Sequence, residues 1–349
     1  MAELSTLCYI EKEKKYLMLH RTVKKNDVNK DKWIGVGGHF EPDESPEECL
    51  LREVKEETGY TLTSYKYRGM VTFVSGSGVT EYMSLFTADG FEGEQISCDE
   101  GELAWVEIED VWKLNLWEGD KIFFRLLDEK QEFFSLKLVY NGHDTLESAA
   151  LNGKAMELLD VLNEDGTKTG MVRESGVAHR EGSIHASVHV WVIRKNHKES
   201  YDVLLRGKSG CNTCFRKDAD GFHPAIYCIP AAGHVEAGED IAASAVRRMQ
   251  KELDLTAEEE LHYVGSHRRE AEGVLYGKRI RDREIVSVYV HAELTGESSI
   301  RLQEGAGEER IWMDCEECLK RAHTGRFPAG IDEEELRMVS QYLRDYRTE

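Results

Sequence analysis

The sequence predicts an α/β protein of the α+β kind, built as two tandem α/β/α sandwiches, each around a mixed sheet. Three observations carry this. At 349 residues the chain exceeds the size at which one hydrophobic core usually stops growing, so two domains of about 150 to 200 residues are expected. Within each half, short apolar or alternating runs are separated by a longer segment of helical period. The order of these elements in the first half recurs in the second, as in a diverged duplicate.

In the first half, strand patterns fall at 6–10, 16–20, 65–74, 80–86 and 103–106. Between the second and third lies 45–58, where Cys49, Leu50 and Val54 recur at helical spacing and acidic residues fill much of the rest. Ser45 is suited to cap this helix, Pro46 to its first position, and Glu48 completes a Ser-x-x-Glu capping box; Gly59 ends it. A second helix at 120–127 and a strand at 133–140 close the half, and the polar, small-residue stretch 141–154 reads as the linker. The expected domains are therefore 1–145 and 155–349. In the second half, strands are expected at 157–162, 186–193, 202–205, 226–230, 287–294 and 310–313, with helices at 241–253 and 333–346.

Bulk properties exclude several classes. A composition of 40% hydrophobic and 32% charged residues with five prolines is that of a folded chain. A formal charge of −21 repels phosphate backbones, so duplex nucleic acid is not an expected partner. No apolar stretch approaches the roughly 20 residues of a membrane span and no signal-type apolar core follows the N-terminus, so the expectation is a cytoplasmic protein. Eight cysteines are too sparse for a disulfide scaffold; Cys8, Cys49 and Cys228 lie among apolar residues, as core thiols do. Cys211-x-x-Cys214 and Cys315-x-x-Cys318 are two pairs of zinc-ligand spacing, but about a hundred residues separate them and Cys315 opens a helical segment.

The chemistry concentrates at Gly38, Glu44, Arg52, Glu53, Val54, Glu56, Glu57, Gly59 and Tyr60. Glu53, Glu56 and Glu57 stand at i, i+3 and i+4 and project from one helix face, where crowded carboxylates repel one another unless cations intervene. Oxygen ligands of this kind suit Mg²⁺ or Mn²⁺, which would bridge phosphates and acidify a water for attack at phosphorus. The alternative is a solvated acidic face paired with Arg52 and Lys55. The spacing G-x5-E-x7-R-E-U-x-E-E-x-G-U, with U bulky and apolar or aromatic, resembles the Nudix box at every defined position, a match expected by chance on the order of once in ten million such chains. The resemblance implies a Nudix fold and hydrolysis of a diphosphate linkage in a nucleotide or other small diphosphate substrate. It implies metal ligation by Glu56 and Glu57, a ligand or general-base role for Glu53, orientation of the carboxylates by Arg52, and a carbonyl contribution from Gly37. Glu44 would pair with Arg52. Glu100, or failing it Glu102, would complete the metal shell.

The flanks KWIGVGGHFEPDESPEECLLREVKEETG and LNLWEGDKIFF are similar to those of MutT-type enzymes acting on 8-oxo-dGTP and related oxidised nucleoside triphosphates. That resemblance implies Trp117 as a stacking platform and Asp120 as a reader of the base edge, roles for which an aromatic ring and a buried carboxylate are suited. Equally open is a core role for Trp117 and a helix-capping role for Asp120. Ile34 and Gly119 depart from the subgroup, where asparagine and a second acid contact the base.

In the second half Gly233, Glu239, Arg247 and Glu252 keep the spacing, but Arg248, Lys251 and Asp254 replace two glutamates and the terminal glycine. Two cations there oppose a Mg²⁺ cluster. AGHVEAGE followed by SAVRRMQKEL resembles isopentenyl diphosphate isomerase and its Nudix relatives. The resemblance implies a divalent metal held by His185, His234, Asp282, Glu284 and Glu252, with His179 one residue off the family spacing; the alternative is that these histidines are surface or satisfied core residues. Ala232 stands where that family has its reactive cysteine, which speaks against isomerisation and leaves a diverged hydrolase or a ligand-binding module.

Overall fold

The computed structural model describes the chain apart from residues 1, 24–27, 199, 209–214, 219–220, 225–226, 256–259, 276–277, 294–307, 324–330 and 347–349. It divides into two compact units, Met1–Leu158 with Met171–Val177, and Leu159–Gly170 with Ala178–Glu349. No helix among the described residues is long and apolar enough to cross a membrane.

In the first unit the elements run β1 (Glu3–Lys12), β2 (Lys15–His20), β3 (Trp33–Ile34), α1 (Pro46–Thr58), β4 (Thr61–Val74), β5 (Thr80–Glu92), β6 (Glu102–Glu107), α2 (Glu118–Asp128), β7 (Phe134–Tyr140), β8 (Leu146–Leu151) and β9 (Lys154–Ala155). The mixed sheet has the order β3-β2-β1-β5-β4-β7-β8-β9, with β6 paired to β2. β1 and β5 run parallel, as do β4 and β7. Alternation along β1 sends Cys8 and Ile10 to a core shared with Leu50 and Val54 of α1, and Tyr9 to the opposite face against Phe123 and Phe124 of α2. The sheet is thus covered by one helix on each side.

The stretch read as a linker, 141–154, is instead sheet: β8 pairs antiparallel with β7, and β9 with β8. Asn141 sits at the hairpin bend, accepting at its side-chain oxygen from the N–H groups of His143 and Thr145, so polarity there marks a turn and not a domain boundary.

The chain continues through β10 (Leu158–Leu162), β11 (Lys168–Glu174), α3 (Ser175–Glu181), β12 (Ile184–Lys195), β13 (Tyr201–Lys208), β14 (Phe215–Asp218), β15 (Gly221–Pro224), β16 (Tyr227–Cys228), β17 (Ala231–His234), α4 (Ile241–Leu253), β18 (His262–Leu275), β19 (Lys278–Glu293), β20 (Glu308–Asp314), α5 (Cys315–His323) and α6 (Glu333–Tyr346). The main sheet of the second unit has the order β16-β13-β12-β19-β18, with β17 on β12 and β20 on β13, and its β12–β19 pair is parallel. This repeats the β1–β5 pair of the first unit. Val188, Val190 and Val192 face α4 through Ala245, Met249 and Leu253, while Trp191 and Ile193 face Leu336 and Val339 of α6. Both units are α/β/α sandwiches on mixed sheets. Cys8, Cys49 and Cys228 are buried. Cys315 and Cys318 are also buried, on α5, and burial pushes both thiols up to about 12, which disfavours the thiolate that zinc requires; Cys211 and Cys214 lie outside the described residues.

Candidate functional site

Helix α1 begins as its sequence dictates. Ser45 Oγ accepts from the Glu48 N–H at 3.2 Å, Glu48 Oε2 accepts from the Ser45 N–H at 2.8 Å, and Pro46 follows the cap. Gly59 ends the helix at φ 79°, a left-handed conformation that a side chain would strain. These ends fix the register, so Leu50 and Val54 face the sheet while Arg52, Glu53 and Glu56 lie along another face. Arg52 is the hub. Its Nε and Nη2 donate to the two oxygens of Glu44 at 2.7 and 2.9 Å, its Nη1 to Glu53 at 2.7 Å and to Glu56 at 3.3 Å, and its Nη2 to the His39 carbonyl at 3.1 Å. The guanidinium draws the Glu44 carboxyl down to about 2, consistent with the expected pairing of Glu44 and Arg52.

The turn before the helix receives the other acids. The Gly37 N–H donates to Glu57 Oε2 at 2.9 Å, and Glu57 is buried. A Cβ on Gly38 would stand 2.5 Å from the Glu53 carboxyl, so this glycine is the floor on which Glu53 rests. The three glutamates share one helix, but Arg52 holds Glu53 and Glu56 while the Gly37 N–H holds Glu57: among the described residues, the triads of His, Cys, Asp or Glu ligand atoms lying within 4.8 Å of one another are all in the second unit. Mutual repulsion of carboxylates and the presence of ready donors account for the spread. The donor set is all oxygen and fits a hard divalent cation. Glu100 is ion-paired with Arg21. Its loop lies beside the helix, since Cys98, whose thiol is raised by burial, is raised further by Glu57. Glu102 sits on β6 opposite His20.

Trp117 and Asp120 are both buried at the start of α2. Trp117 lies in the core, one of its two expected roles, whereas Asp120 does not cap the helix. Trp117 itself occupies the N-cap position with no side-chain cap, and Asp120 follows in the first turn. The Trp117 indole N–H donates to Asn29 Oδ1 at 2.9 Å, its ring meets Phe73 and Tyr140 edge-on, and the Lys32 ammonium lies 4.9 Å from its centroid. Desolvation pushes the Asp120 carboxyl up to about 8, against the pull of Lys32 and with a small push from Glu118, so it is largely protonated near neutrality and able to donate. The structure also explains the missing second acid. The Gly119 N–H donates to the Tyr140 hydroxyl at 2.7 Å, and a Cβ there would meet that oxygen at 2.6 Å and Leu138 at 2.5 Å. Ile34, the other departure, is on β3 opposite Leu19.

In the second unit the helix keeps its clamp and loses its acids. Arg247 donates to both oxygens of Glu239 at 2.6 Å and holds that carboxyl down to about 2. Arg248, at the position equivalent to Glu53, lays its guanidinium where a Gly233 Cβ would come within 2.3 Å, and donates to the His234 carbonyl at 3.2 Å. Glu252 stands apart, ion-paired with Arg206 at 2.9 Å, so the structure does not bring it to the predicted metal set.

The rest of that set does assemble. His185 on β12 lies in register with Glu284 on β19, and His234 on β17 with Ser187. The rings of His179, His185 and His234 are 4.9 to 5.1 Å apart, and their ligand atoms lie within 4.8 Å of one another, as do those of His185, Asp282 and Glu284. Asp282 Oδ1 is 3.7 Å from His179 and 3.6 Å from His185. His179, off register by one in the sequence, is delivered by the short helix α3. Burial and Glu284 raise the Asp282 carboxyl; Glu284, itself buried, is held down by Arg269 at 2.8 Å and the neighbouring histidines. Nitrogen ligands beside two carboxylates fit Mn²⁺ or Zn²⁺ as well as Mg²⁺.

A family model described as the NUDIX domain matches residues 1–127 and 184–330. An oxidized purine nucleoside triphosphate hydrolase of Danio rerio is 32% identical over 126 residues, 36% of this chain and 80% of that protein. A GDP-mannose pyrophosphatase of Yersinia enterocolitica is 38% identical over 58 residues, 17% of this chain and 30% of that protein. A crystal structure of a MutT protein from Bacillus halodurans shares 25% identity at a TM-score of 0.39, covering 44% of this chain and 99% of its own.

Proposed function

The chain belongs to the NUDIX family and is a hydrolase of diphosphate bonds, and from that premise we propose that its first unit cleaves an oxidised purine nucleoside triphosphate, of the 8-oxo-dGTP kind, to the monophosphate and pyrophosphate. The observation that carries the reading is the α1 face, where Glu53 and Glu57 meet the Gly37–Gly38 turn and Arg52 clamps Glu53 and Glu56. Mg²⁺ or Mn²⁺ held by Glu53, Glu56 and Glu57, with the Gly37 carbonyl and Glu100, would neutralise the phosphates and acidify a water. Arg52 keeps the Glu53 and Glu56 carboxylates in place, and Glu53 accepts the proton of the attacking water. Asp120, protonated near neutrality, donates to an acceptor on the base edge, and Trp117 supplies an aromatic surface.

The test is product analysis on a panel of 8-oxo-dGTP, the normal nucleoside triphosphates, ADP-ribose, a nucleotide sugar, a dinucleoside polyphosphate and isopentenyl diphosphate, with Mg²⁺ and with Mn²⁺. Preferred turnover of 8-oxo-dGTP, lost selectively in Trp117→Ala, supports the reading. Preference for a nucleotide sugar, an activity named for one relative, or for ADP-ribose transfers the site to that substrate; no turnover despite metal uptake makes the protein a nucleotide sensor. For the second unit, the assembly of His179, His185, His234, Asp282 and Glu284 supports a divalent-metal site on an isomerase-like NUDIX domain, and Ala232 supports diphosphate binding or hydrolysis over isomerisation.

A further inference from the structure

We infer that the second unit carries its own proton acceptor, His189, oriented by the buried carboxylate of Glu335; this rests on the reading that the unit takes a diphosphate at its histidine cluster. Alternation along β12 puts His185, Ser187, His189 and Trp191 on one face of the sheet. His185 belongs to the cluster. Across the β12–β17 ladder, His234 of the cluster faces Ser187, and Ala232 faces His189. Cross-strand partners of this kind stand about 5 Å apart at Cβ, so His189 borders the cluster on a side where alanine offers its ring nothing to bond.

Glu335 reaches this face from α6 and accepts three hydrogen bonds: at Oε1 from His189 Nδ1 at 2.8 Å and His267 Nε2 at 3.0 Å, and at Oε2 from the Trp191 indole at 3.1 Å. A carboxylate at Nδ1 fixes the imidazole with its proton on that nitrogen and its lone pair on Nε2, which is the arrangement a proton acceptor needs. A clamp fastening α6 to the sheet explains Trp191 and His267, since the second nitrogen of His267 is also engaged, with the Arg268 carbonyl at 3.2 Å. It leaves the Nε2 of His189 unused: among the described residues only its Nδ1 is hydrogen-bonded. Nearby on the same face, Ser187 Oγ and Asp282 Oδ1 are buried with no hydrogen-bond partner, as expected where a polar ligand is to be received.

The step is hydrolysis. A water oxygen bonds to phosphorus while its proton passes to His189 Nε2; the bridging P–O bond breaks and its electron pair leaves on the departing phosphate oxygen. Arg269, bonded to Glu284, also feels the charge of Glu335. Glu335 is a positioning residue, acting through His189.

The experiment uses the full chain with the first unit silenced by Glu53→Gln and Glu57→Gln. Turnover of the diphosphate panel is measured with Mn²⁺ and Mg²⁺, and imidazole ¹⁵N resonances are followed with inorganic pyrophosphate as the probe. We expect His189→Gln to lower kcat about 10²-fold or more at unchanged KM and metal content, with a smaller loss in Glu335→Gln. In the parent we expect His189 to carry its proton on Nδ1, and its Nε2 resonance to move on pyrophosphate addition. Parent-like turnover in His189→Gln, an Nε2-protonated tautomer, or a His189 resonance that stays still while those of the cluster move would each overturn the inference and leave the diphosphate reading standing. If the cluster resonances also stay still and nothing is turned over, that reading fails and takes this one with it. Should His189→Gln not fold, the resonance measurements on the parent decide.

Discussion

The two helices α1 and α4 hold the same clamp over opposite chemistry. In both, an arginine grips a glutamate eight residues upstream, Arg52 to Glu44 and Arg247 to Glu239, and draws that carboxyl to about 2. In both, the residue after the arginine presses its charged end onto a glycine of the preceding turn: Glu53 on Gly38, Arg248 on Gly233. The clamp and the glycine floor belong to the fold, since they survive a reversal of charge. What changes with the charge is where a cation is welcome. The first unit offers it an oxygen face on the helix; the second repels it there with Arg248 and Lys251 and gathers histidines and acids on the sheet instead.

The largest effect that sharpens this contrast is loss of the first-unit acids. Glu53→Gln and Glu57→Gln should each lower first-unit turnover by about 10²- to 10⁴-fold, while the thermal transition stays in place because glutamine preserves the hydrogen-bond acceptors toward Arg52 and the Gly37 N–H. Steady-state kinetics with calorimetry on the same samples checks it; parent-like turnover would remove the helix from the mechanism. Next comes the glycine pair. Gly38→Ala pushes a methyl to 2.5 Å from the Glu53 carboxyl and should cost about 10²-fold in kcat by misplacing it. Gly233→Ala, a closer clash with Arg248 at 2.3 Å, should leave first-unit turnover unchanged. Equal losses in both would mean that the glycines matter for folding alone.

Much of this is legible in the sequence alone. The capping box at Ser45 and the helical period of Cys49, Leu50 and Val54 are local signals, and local signals placed α1 within a residue of its observed start and α4 and α6 at their observed bounds. The histidine cluster was half legible: His185, His234, Asp282 and Glu284 stood out by type and place, but His179 depends on how many residues α3 consumes, which spacing alone does not tell. Glu252 was misplaced because its partner, Arg206, lies 46 residues away on another strand. The β8–β9 hairpin was missed because its small, polar residues imitate a linker, and only pairing with β7 makes them strands. Glu335 and His189 carried no local signal at all; their bond spans 146 positions.

The smallest expected effect concerns stability, and it separates the base-reading acid from the metal-binding ones. Asp120 has an ordinary carboxyl value of 3.8 when the chain unfolds and is raised by burial to about 8 when folded. Between those values the folded protein holds a proton that the unfolded chain has released, so stability at Asp120 is full below about pH 4 and falls steadily as pH rises to about 8, by at most about 1.4 kcal/mol per pH unit. Asparagine has no proton to lose, so Asp120→Asn should melt increasingly above the parent as pH rises from 5 to 8, the gap widening by at least about 4 °C. Calorimetry across that range checks it. A gap that stays constant across that range would mean that Lys32 keeps Asp120 ionised, and the acid would then accept from a base edge where the present assignment has it donate.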